Sequence, residues 1–357
     1  MPKAFKKIID YIKGKNSTPL EPNHDYNATH PITLYKIGTT NFNDPKQQII
    51  LEYYDITDDY LQNAGCNLKD FYLASSDLFE ELFDPNKNNS YSTYMDDLID
   101  SGDKMHHISV LCKSTGAKYA NSEIVSSRIL NYFHIPTVFN TLAITQYEDV
   151  YDTLMKDVLS VDFMRPQDEF QSFVENGEMG SIESWFKAIE HYVGLFYKHN
   201  KQSKATTNEA KQQKVDSLKR DFVQTYLYRR ILLDDHDFFA RNFGVIMNKE
   251  DIRLAPNFDM ECSLEIYRSE GLDQDLIKCY YLYPDLVDDF ITNINKANAN
   301  HENNTSILQN IINSACTSKQ FAKEFNSQLC YNIDEINVAY SKAKNRNIEG
   351  EEYEQQS

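Results

Sequence analysis

The sequence is poor in glycine, tryptophan and positive charge. Its 357 residues include 11 glycines and one tryptophan, and 36 Lys and Arg stand against 54 Asp and Glu, which gives a formal charge of −18. General nucleic-acid binders gain affinity by neutralising phosphates with clustered basic residues. The acidic excess therefore argues against direct nucleic-acid binding and favours a basic partner or protein substrate.

Three further absences narrow the class of protein. No apolar run approaches the roughly 18–20 residues that a membrane-spanning helix requires. The six cysteines form no Cys-x-x-Cys pair and have no histidine at zinc-finger spacing. No secretory signal peptide is recognisable, so we expect reduced thiols and a cytoplasmic protein.

The chain is long enough for two domains that each bury a core, and 41% of its residues are hydrophobic. Residues 1–30 predict an extension with a short amphipathic helix, and 31–165 predict a β-rich domain. Within it, residues 31–85, with strands predicted at 33–37 and 48–54, either complete this domain or form an accessory subdomain. Residues 166–344 predict a mainly helical domain, and 345–357 a disordered tail. The predicted fold class is therefore α+β.

Apolar stripes at helical spacing dominate the second half of the chain. One stripe around Trp185 predicts a helix with the tryptophan in the core. The polar stretch 199–216 predicts an exposed loop, and the helix after it leads into Asp237. Further helices are predicted over 286–294, 307–312, 321–329 and 333–343, separated by Asn-rich connectors.

Three oxygen-bearing side chains stand out near residue 240. Asp237 and Asn242 lie five residues apart in LLDDHDFFARNFG, and Asp259 follows 17 residues later in RLAPNFDMECS. Phosphoryl transfer needs a carboxylate beside the acceptor hydroxyl, and oxygen ligands that hold magnesium against the phosphates of the nucleotide. Asp237 fits the base, and Asn242 and Asp259 fit the metal ligands.

Two short β-type runs, 243–247 and 252–254, separate Asn242 from Asp259 and are joined by the polar turn 248–251. A tight hairpin would return Asp259 to the neighbourhood of Asn242. An Asp-x4-Asn pair alone is a weak signal in a chain rich in both residues, and an acidic loop before an ordinary hairpin is the alternative. The order of helix, loop, hairpin and Ala-Pro-x-x-Asp favours function.

This order resembles the catalytic and metal-binding loops of protein kinases. Arg-Asn-Phe-Gly at 241–244, Leu-Ala-Pro at 254–256 and Asp259 look like the HipA family of bacterial serine/threonine kinases, including its short HipT and CtkA types. The resemblance implies a two-lobed kinase-like fold, with a β-rich first lobe and a helical second lobe. It also implies ATP and Mg²⁺ as cofactors, and Arg241 as a further residue near the site.

An upstream segment agrees with the resemblance. Residues 108–113 form a β-type run that ends in Lys113, and Glu123 opens a helix. In kinases the strand lysine grips the phosphates and a helix glutamate holds that lysine, so the resemblance assigns Lys113 and Glu123 to catalysis. A solvent-facing lysine and a glutamate that complements the helix dipole are the alternative.

The run 157–163 resembles the strand that leads into the hinge between kinase lobes, where backbone groups meet the adenine. The resemblance therefore assigns nucleotide binding to Lys113, Asn242 and Asp259 together with Val161, Asp162, Phe163 and Met164.

Two features depart from the family pattern. Phe239 stands where relatives usually have a histidine, two residues after the catalytic aspartate. The Gly-x-Gln-Pro-Lys stretch that covers the phosphates in many relatives is absent, and no Gly-x-Gly pattern replaces it. The best positional candidate for that loop is 86–92, where the resemblance makes Ser90 and Ser92 candidate autophosphorylation sites, and a polar surface loop is the alternative.

The sequence thus predicts a HipA-like kinase that transfers the γ-phosphate of ATP to a serine or threonine of a protein substrate. HipA relatives often act as toxins restrained by a DNA-binding antitoxin partner, whereas others act alone or are delivered into host cells. The sequence leaves these roles open.

Two alternatives belong to other classes. A pseudokinase, or nucleotide-binding module without turnover, is favoured by the missing phosphate loop and by Phe239. A metal-dependent phosphohydrolase is suggested by the run Asp234 to Asp237 and by the pair His106 and His107.

Overall fold

A computed structural model gives the structure of the protein. It describes residues 32–39, 48–55, 68–73, 90–92, 95–100, 103–113, 115–147, 154–164, 168–173, 181–199, 208–238, 242–265, 268–299 and 305–348. The described residues up to Ala120, with Val138–Asp168, form one compact unit, and Asn121–Thr137 with those from Glu169 onward form a second. The architecture is α+β.

An antiparallel sheet forms the first unit. Its seven strands follow the order β2-β1-β6-β9-β8-β3, with β5 paired to β6. The strands before and after the first helix are β1 Ile32–Thr39, β2 Gln48–Asp55, β3 Leu68–Leu73, β4 Tyr91–Ser92, β5 Met95–Asp100, β6 Asp103–Lys113, β7 Thr137–Val138, β8 Asn140–Tyr147 and β9 Leu154–Val161. The predicted strands at 33–37, 48–54 and 108–113 are confirmed.

Helix α1, Ala117–Tyr132, follows Gly116, whose φ of 84° suits a residue without a side chain. The sequence analysis placed this helix in the first domain, but from Asn121 onward it belongs to the second unit. Hydrogen bonds explain the difference. Ser122 Oγ donates to the carbonyl oxygens of Ser263 at 2.7 Å and Met260 at 3.3 Å, which ties the helix to the loop after Asp259.

Helices around one large apolar core form most of the second unit. They are α2 Ile182–His199, α3 Asn208–Tyr226, a π-helix Leu227–Leu232, α4 Leu272–Leu282, α5 Pro284–Asn298, α6 Ile307–Ala315 and α7 Lys319–Ile348. A small antiparallel sheet, β10 Glu169–Ser172, β11 Gly244–Met247 and β12 Ile252–Leu254, packs with them. Trp185 is 3% exposed, which confirms its predicted core position.

Three predicted boundaries in this unit are wrong. The predicted loop 199–216 overlaps helix α3, because Val215 is buried in the core and gives that polar stretch an inward face. The helices predicted over 321–329 and 333–343 form one helix, α7. This helix also includes Asn345 to Ile348, which were predicted to belong to the disordered tail. Asn332 stays helical because its Nδ2 donates to the carbonyl oxygen of Leu232 at 2.9 Å, and tertiary contacts thus satisfy its polar group.

Several sequence predictions concern residues outside the described part of the chain. They include the extension 1–30, the tail beyond Ile348, residues 86–89 of the proposed phosphate loop, and both Phe239 and Arg241. Among the described helices, none combines the length and apolar character needed to cross a membrane.

Candidate active site

A buried aromatic cluster holds both ends of the loop between Asp237 and Asn242. Phe238 directly follows Asp237 and Phe243 directly follows Asn242, and the two ring centroids lie 5.4 Å apart. Both rings also contact Trp185, at centroid distances of 5.1 Å and 5.7 Å. Because these rings are packed in the core, the backbone positions of the two polar residues next to them are fixed.

The side-chain amide of Asn242 donates two hydrogen bonds to Asp237. Its Nδ2 donates to the carboxylate Oδ2 of Asp237 at 3.0 Å and to the main-chain oxygen of Asp237 at 3.1 Å. The two bonds set the direction of the carboxylate, and they turn the amide oxygen of Asn242 away from it. Amide and carboxylate oxygens are ligands that Mg²⁺ accepts. The structure therefore brings the predicted base and one predicted metal ligand together.

The predicted hairpin between Asn242 and Asp259 is confirmed. Strands β11 and β12 pair antiparallel, and Asn248 Oδ1 closes the turn by accepting from the backbone N–H groups of Glu250 and Asp251, at 2.8 Å and 2.9 Å. Beyond β12, Asp259 has a φ of 57°, in the left-handed region that aspartate tolerates better than most residues.

The segments before Asp237 and after Asp259 lie side by side. The backbone N–H of His236 donates to the carbonyl oxygen of Cys262 at 3.2 Å. Leu264 N donates to the carbonyl oxygen of Leu233 at 2.7 Å. These bonds cross between segments that are far apart in sequence, so the hairpin does return the chain toward the Asp237 loop, as a closed reversal allows.

Two buried arginines neutralise the acidic run that precedes Asp237. Arg229 Nε donates to Asp235 Oδ2 at 2.6 Å, and Arg230 Nη1 donates to Asp234 Oδ1 at 2.9 Å. Both carboxylates are fully buried. Buried carboxylates are stable only when they are paired, and Asp234 and Asp235 are paired with these arginines. They are therefore less available as metal ligands, which weakens the phosphohydrolase alternative.

Three carboxylates converge where α1 meets the loop of Asp259. One oxygen each of Glu123, Asp259 and Glu261 lies within 4.8 Å of the others. This group of candidate metal ligands, as found among the described residues, consists of carboxylates and contains no histidine. All-oxygen donors suit Mg²⁺, and a cation bound there would offset the repulsion between neighbouring carboxylates.

The sequence analysis missed Glu261, although Asp-x-Glu at 259–261 was a visible signal. Side chains two residues apart point to the same face only in a regular strand, and the left-handed φ of Asp259 excludes a regular strand here. The spacing alone therefore did not predict that the carboxylates of Asp259 and Glu261 lie close together. It also missed Arg229 and Arg230, whose double charge inside an apolar helix was the available signal.

Several carboxylates lie near the Cys262 thiol, which follows Glu261. Burial raises the pKa of the Cys262 thiol to about 12, and the nearby carboxylates of Asp237, Glu261 and Asp235 contribute to that rise. Burial also raises the pKa of Asp235, and the guanidinium of Arg229 opposes that shift.

The remaining predicted residues belong to the first unit. Lys113 is buried and ends β6, which pairs with β9, the strand that leads to Val161. After β9, the backbone N–H of Met164 donates to Asp162 Oδ1 at 2.9 Å and turns the chain, with Phe163 between them. The sheet therefore places the strands of Lys113 and Val161 next to each other.

Comparisons with known proteins give little support beyond this geometry. No family model matches the chain, and no curated protein matches it. The solved structures that are similar to it include a Helicobacter pylori proinflammatory kinase CtkA, at 15% identity, a TM-score of 0.39 and coverage of 72% of this chain and 98% of that one. They also include hydra Fam20 with sugar, at 10% identity, a TM-score of 0.38 and coverage of 79% of this chain and 88% of that one. Likeness at these TM-scores carries no inference about this chain.

Proposed function

We propose that the protein is an ATP-dependent protein kinase that transfers the γ-phosphate to a serine or threonine hydroxyl. The observation that carries the proposal is the fixed pair of Asp237 and Asn242, with Nδ2 of Asn242 donating to the Asp237 carboxylate at 3.0 Å. A core of aromatic rings holds this pair, and backbone hydrogen bonds join the segment after Asp259 to the segment before Asp237. Kinase chemistry depends mainly on such positioning.

Asp237 is the proposed base. Its carboxylate accepts a hydrogen bond from the substrate hydroxyl and takes the proton as the hydroxyl oxygen bonds to the γ-phosphorus. The bond between that phosphorus and the bridging oxygen breaks, and ADP leaves with the electron pair. Asn242 orients the carboxylate by donating to its Oδ2 atom.

The oxygen donors of the site fit magnesium. Asn242 and Asp259 would hold the ion, and Glu123 and Glu261 lie close enough to Asp259 to add to its negative field. A magnesium ion bound there would neutralise charge on the phosphate oxygens. The protein supplies the rigid frame that keeps these donors in place.

Other roles stay predictions from the sequence. They are the grip of Lys113 on the phosphates, the pairing of Glu123 with Lys113, and adenine binding near Val161 to Met164. The HipA-like family, the toxin role and the antitoxin partner also stay predictions.

The test is phosphoryl transfer from labelled ATP with magnesium, to the protein itself and to a basic protein such as histone. Mass spectrometry then locates phosphoserine and phosphothreonine. We expect Asp237→Asn to bind ATP without transfer, and Asp259→Asn to lose magnesium-dependent binding. Asp251→Asn is the control, since Asp251 lies in the hairpin turn, where its side chain is half exposed.

Each result decides between the proposal and its rival. Transfer that persists in both Asp237→Asn and Asp259→Asn eliminates the assignment. Thermal stabilisation of the wild type by ATP without any transfer supports the pseudokinase instead. Binding at 100 times the dissociation constant stabilises a protein by about 2.7 kcal/mol, which melting curves detect.

A further inference from the structure

The structure assigns Arg229 as a positioning residue that fixes the loop of Asp237 relative to the loop of Asp259. The inference rests on the proposed function and adds to it a residue outside the predicted site. Arg229 would touch neither ATP nor the substrate hydroxyl. It would act through Asp235 on one side and through the main chain of Asp259 on the other.

A continuous path of hydrogen bonds connects the two loops. Asp235 Oδ1 accepts from the backbone N–H of Asp237 at 3.1 Å, and Asp235 Oδ2 accepts from Arg229 Nε at 2.6 Å. On its other side, Arg229 Nη2 donates to the carbonyl oxygen of Asp259 at 3.2 Å. One carboxylate and one guanidinium thus span the backbone from the proposed base to the proposed metal ligand.

The guanidinium is itself held in one orientation. Arg229 is fully buried, and its guanidinium carbon lies 4.9 Å from the ring centroid of Phe238. Its Nη1 donates weakly to Asn257 Oδ1 at 3.4 Å. Asn257 Nδ2 donates in turn to the carbonyl oxygen of Pro136 at 2.8 Å, which anchors the base of the Asp259 loop.

The local helix geometry explains how the arginine reaches both loops. Arg229 lies in the π-helix, and all six residues of that segment, Leu227–Leu232, are buried. A surface α-helix would expose some of them, whereas this wider turn is enclosed by protein on every side. π-Helical turns occur frequently at functional sites.

The substitution Arg229→Lys tests the geometry apart from the charge. An ammonium is a point charge, whereas the planar fork of arginine donates in several fixed directions at once. The single ammonium of a lysine would donate to Asp235 or to the carbonyl oxygen of Asp259, but not to both. The positive charge beside Asp235 would be retained, which limits the loss of stability.

The experiment compares Arg229→Lys with Arg230→Lys. Arg230 is the matched control because it is a neighbouring buried arginine that pairs with Asp234 and donates to the carbonyl oxygen of Asp235 at 3.0 Å. For each variant, phosphoryl transfer is measured while the magnesium concentration is varied at saturating ATP. Partners that orient metal ligands typically change metal affinity or activity by about 10–100-fold when they are removed.

We expect Arg229→Lys to need roughly tenfold more magnesium for half-maximal transfer, and Arg230→Lys to keep the wild-type requirement. A residue that only stabilises the fold would lower the amount of active protein and leave the magnesium requirement unchanged. Guanidinium added to Arg229→Gly should restore part of the activity.

The outcomes separate this inference from the proposed function. A wild type without transfer ends the proposed function, whatever Arg229 does. Transfer by Arg229→Lys with a wild-type magnesium requirement overturns the positioning role alone. If Arg229→Lys fails to fold, Asp235→Asn takes its place, since an amide oxygen still accepts from the backbone N–H of Asp237 but the amide nitrogen cannot accept from Arg229. Unfolding of both variants would make Arg229 a core residue and also overturn the inference.

Discussion

Gly244 follows the Asn242 loop directly, and the structure gives it no room for a side chain. A Cβ at Gly244 would lie 2.1 Å from the carbonyl oxygen of Gln171 and 2.9 Å from the Cα of Ser172. Both neighbours are backbone atoms of β10, which pairs with β11 through Ser172 and Gly244. Since non-bonded carbon atoms normally stay about 3.5–4.0 Å apart, Gly244→Ala must push the strands apart by more than about 1 Å.

The expected cost follows from this displacement. Overpacking of a tight interior costs about 1–3 kcal/mol. Each ladder hydrogen bond lost as β10 moves away adds about 1 kcal/mol. We therefore expect Gly244→Ala, with the loss of one or two such bonds, to lower the free energy of unfolding of the second unit by about 2–5 kcal/mol.

Gly194→Ala is the matched control, with the opposite expected sign. A Cβ at Gly194, inside helix α2, would meet only the flexible end of the Lys211 side chain, with Nζ at 3.4 Å. Replacing a helical glycine by alanine stabilises by about 0.5–1 kcal/mol. Gly194→Ala should therefore raise the stability slightly.

Urea unfolding followed by tryptophan fluorescence measures both variants. Trp185 is the only tryptophan and contacts Phe243, the residue before Gly244, so it reports on this unit. Gly244→Ala should also reduce phosphoryl transfer, because Asn242 lies two residues away. Equal stability of Gly244→Ala and the wild type would refute the close approach of β10 and β11.

Three further predictions test the surrounding structure. Ser122→Ala should lower the free energy of unfolding by about 1–2 kcal/mol in chemical denaturation, because its buried bond to Ser263 is lost, whereas Ser127→Ala, whose hydroxyl bonds within its own helix, should change it less. Burial raises the pKa of Tyr228 to about 12, so the stability that comes from its protonated hydroxyl is complete below about pH 10 and is lost as the pH rises through 12. The absorbance of tyrosinate, measured as the difference between wild type and Tyr228→Phe, should show its step near pH 12. Trp185→Ala should cost about 3–5 kcal/mol by circular dichroism, and an unchanged melting curve would contradict its place in the aromatic cluster.

The hairpin after Asn242 was predictable because its signals are local. Strand-type runs joined by Asn-Lys-Glu-Asp define a reversal in any context, and Asn248 closes that turn with its own side chain. The bond between Asn242 and Asp237 was also within reach, since the two residues are five apart in one loop. The strands predicted at 33–37, 48–54 and 108–113 of the first unit follow for the same reason.

Other features depended on contacts that no local pattern records. A connector was predicted between 329 and 333, yet the carbonyl oxygen of Leu232, a hundred residues away in sequence, accepts from the Asn332 amide, and α7 is continuous there. The carboxylate of Glu123 lies near those of Asp259 and Glu261, which come from a distant part of the chain, and its predicted pairing with Lys113 stays a prediction. Helix α1 joins the second unit through Ser122 for the same reason.

The sequence by itself determined the order of the site: a helix, Asp237, Asn242, a hairpin and Asp259. These depend on short-range turn chemistry and hydrophobic periodicity, which act between residues close in the chain. Only the tertiary structure decided which charges face one another, including the bridge from Asp237 to Asp259 through Asp235 and Arg229. Burial makes each unpaired charge costly, so its partner is chosen by the packed fold and not by its neighbours in sequence.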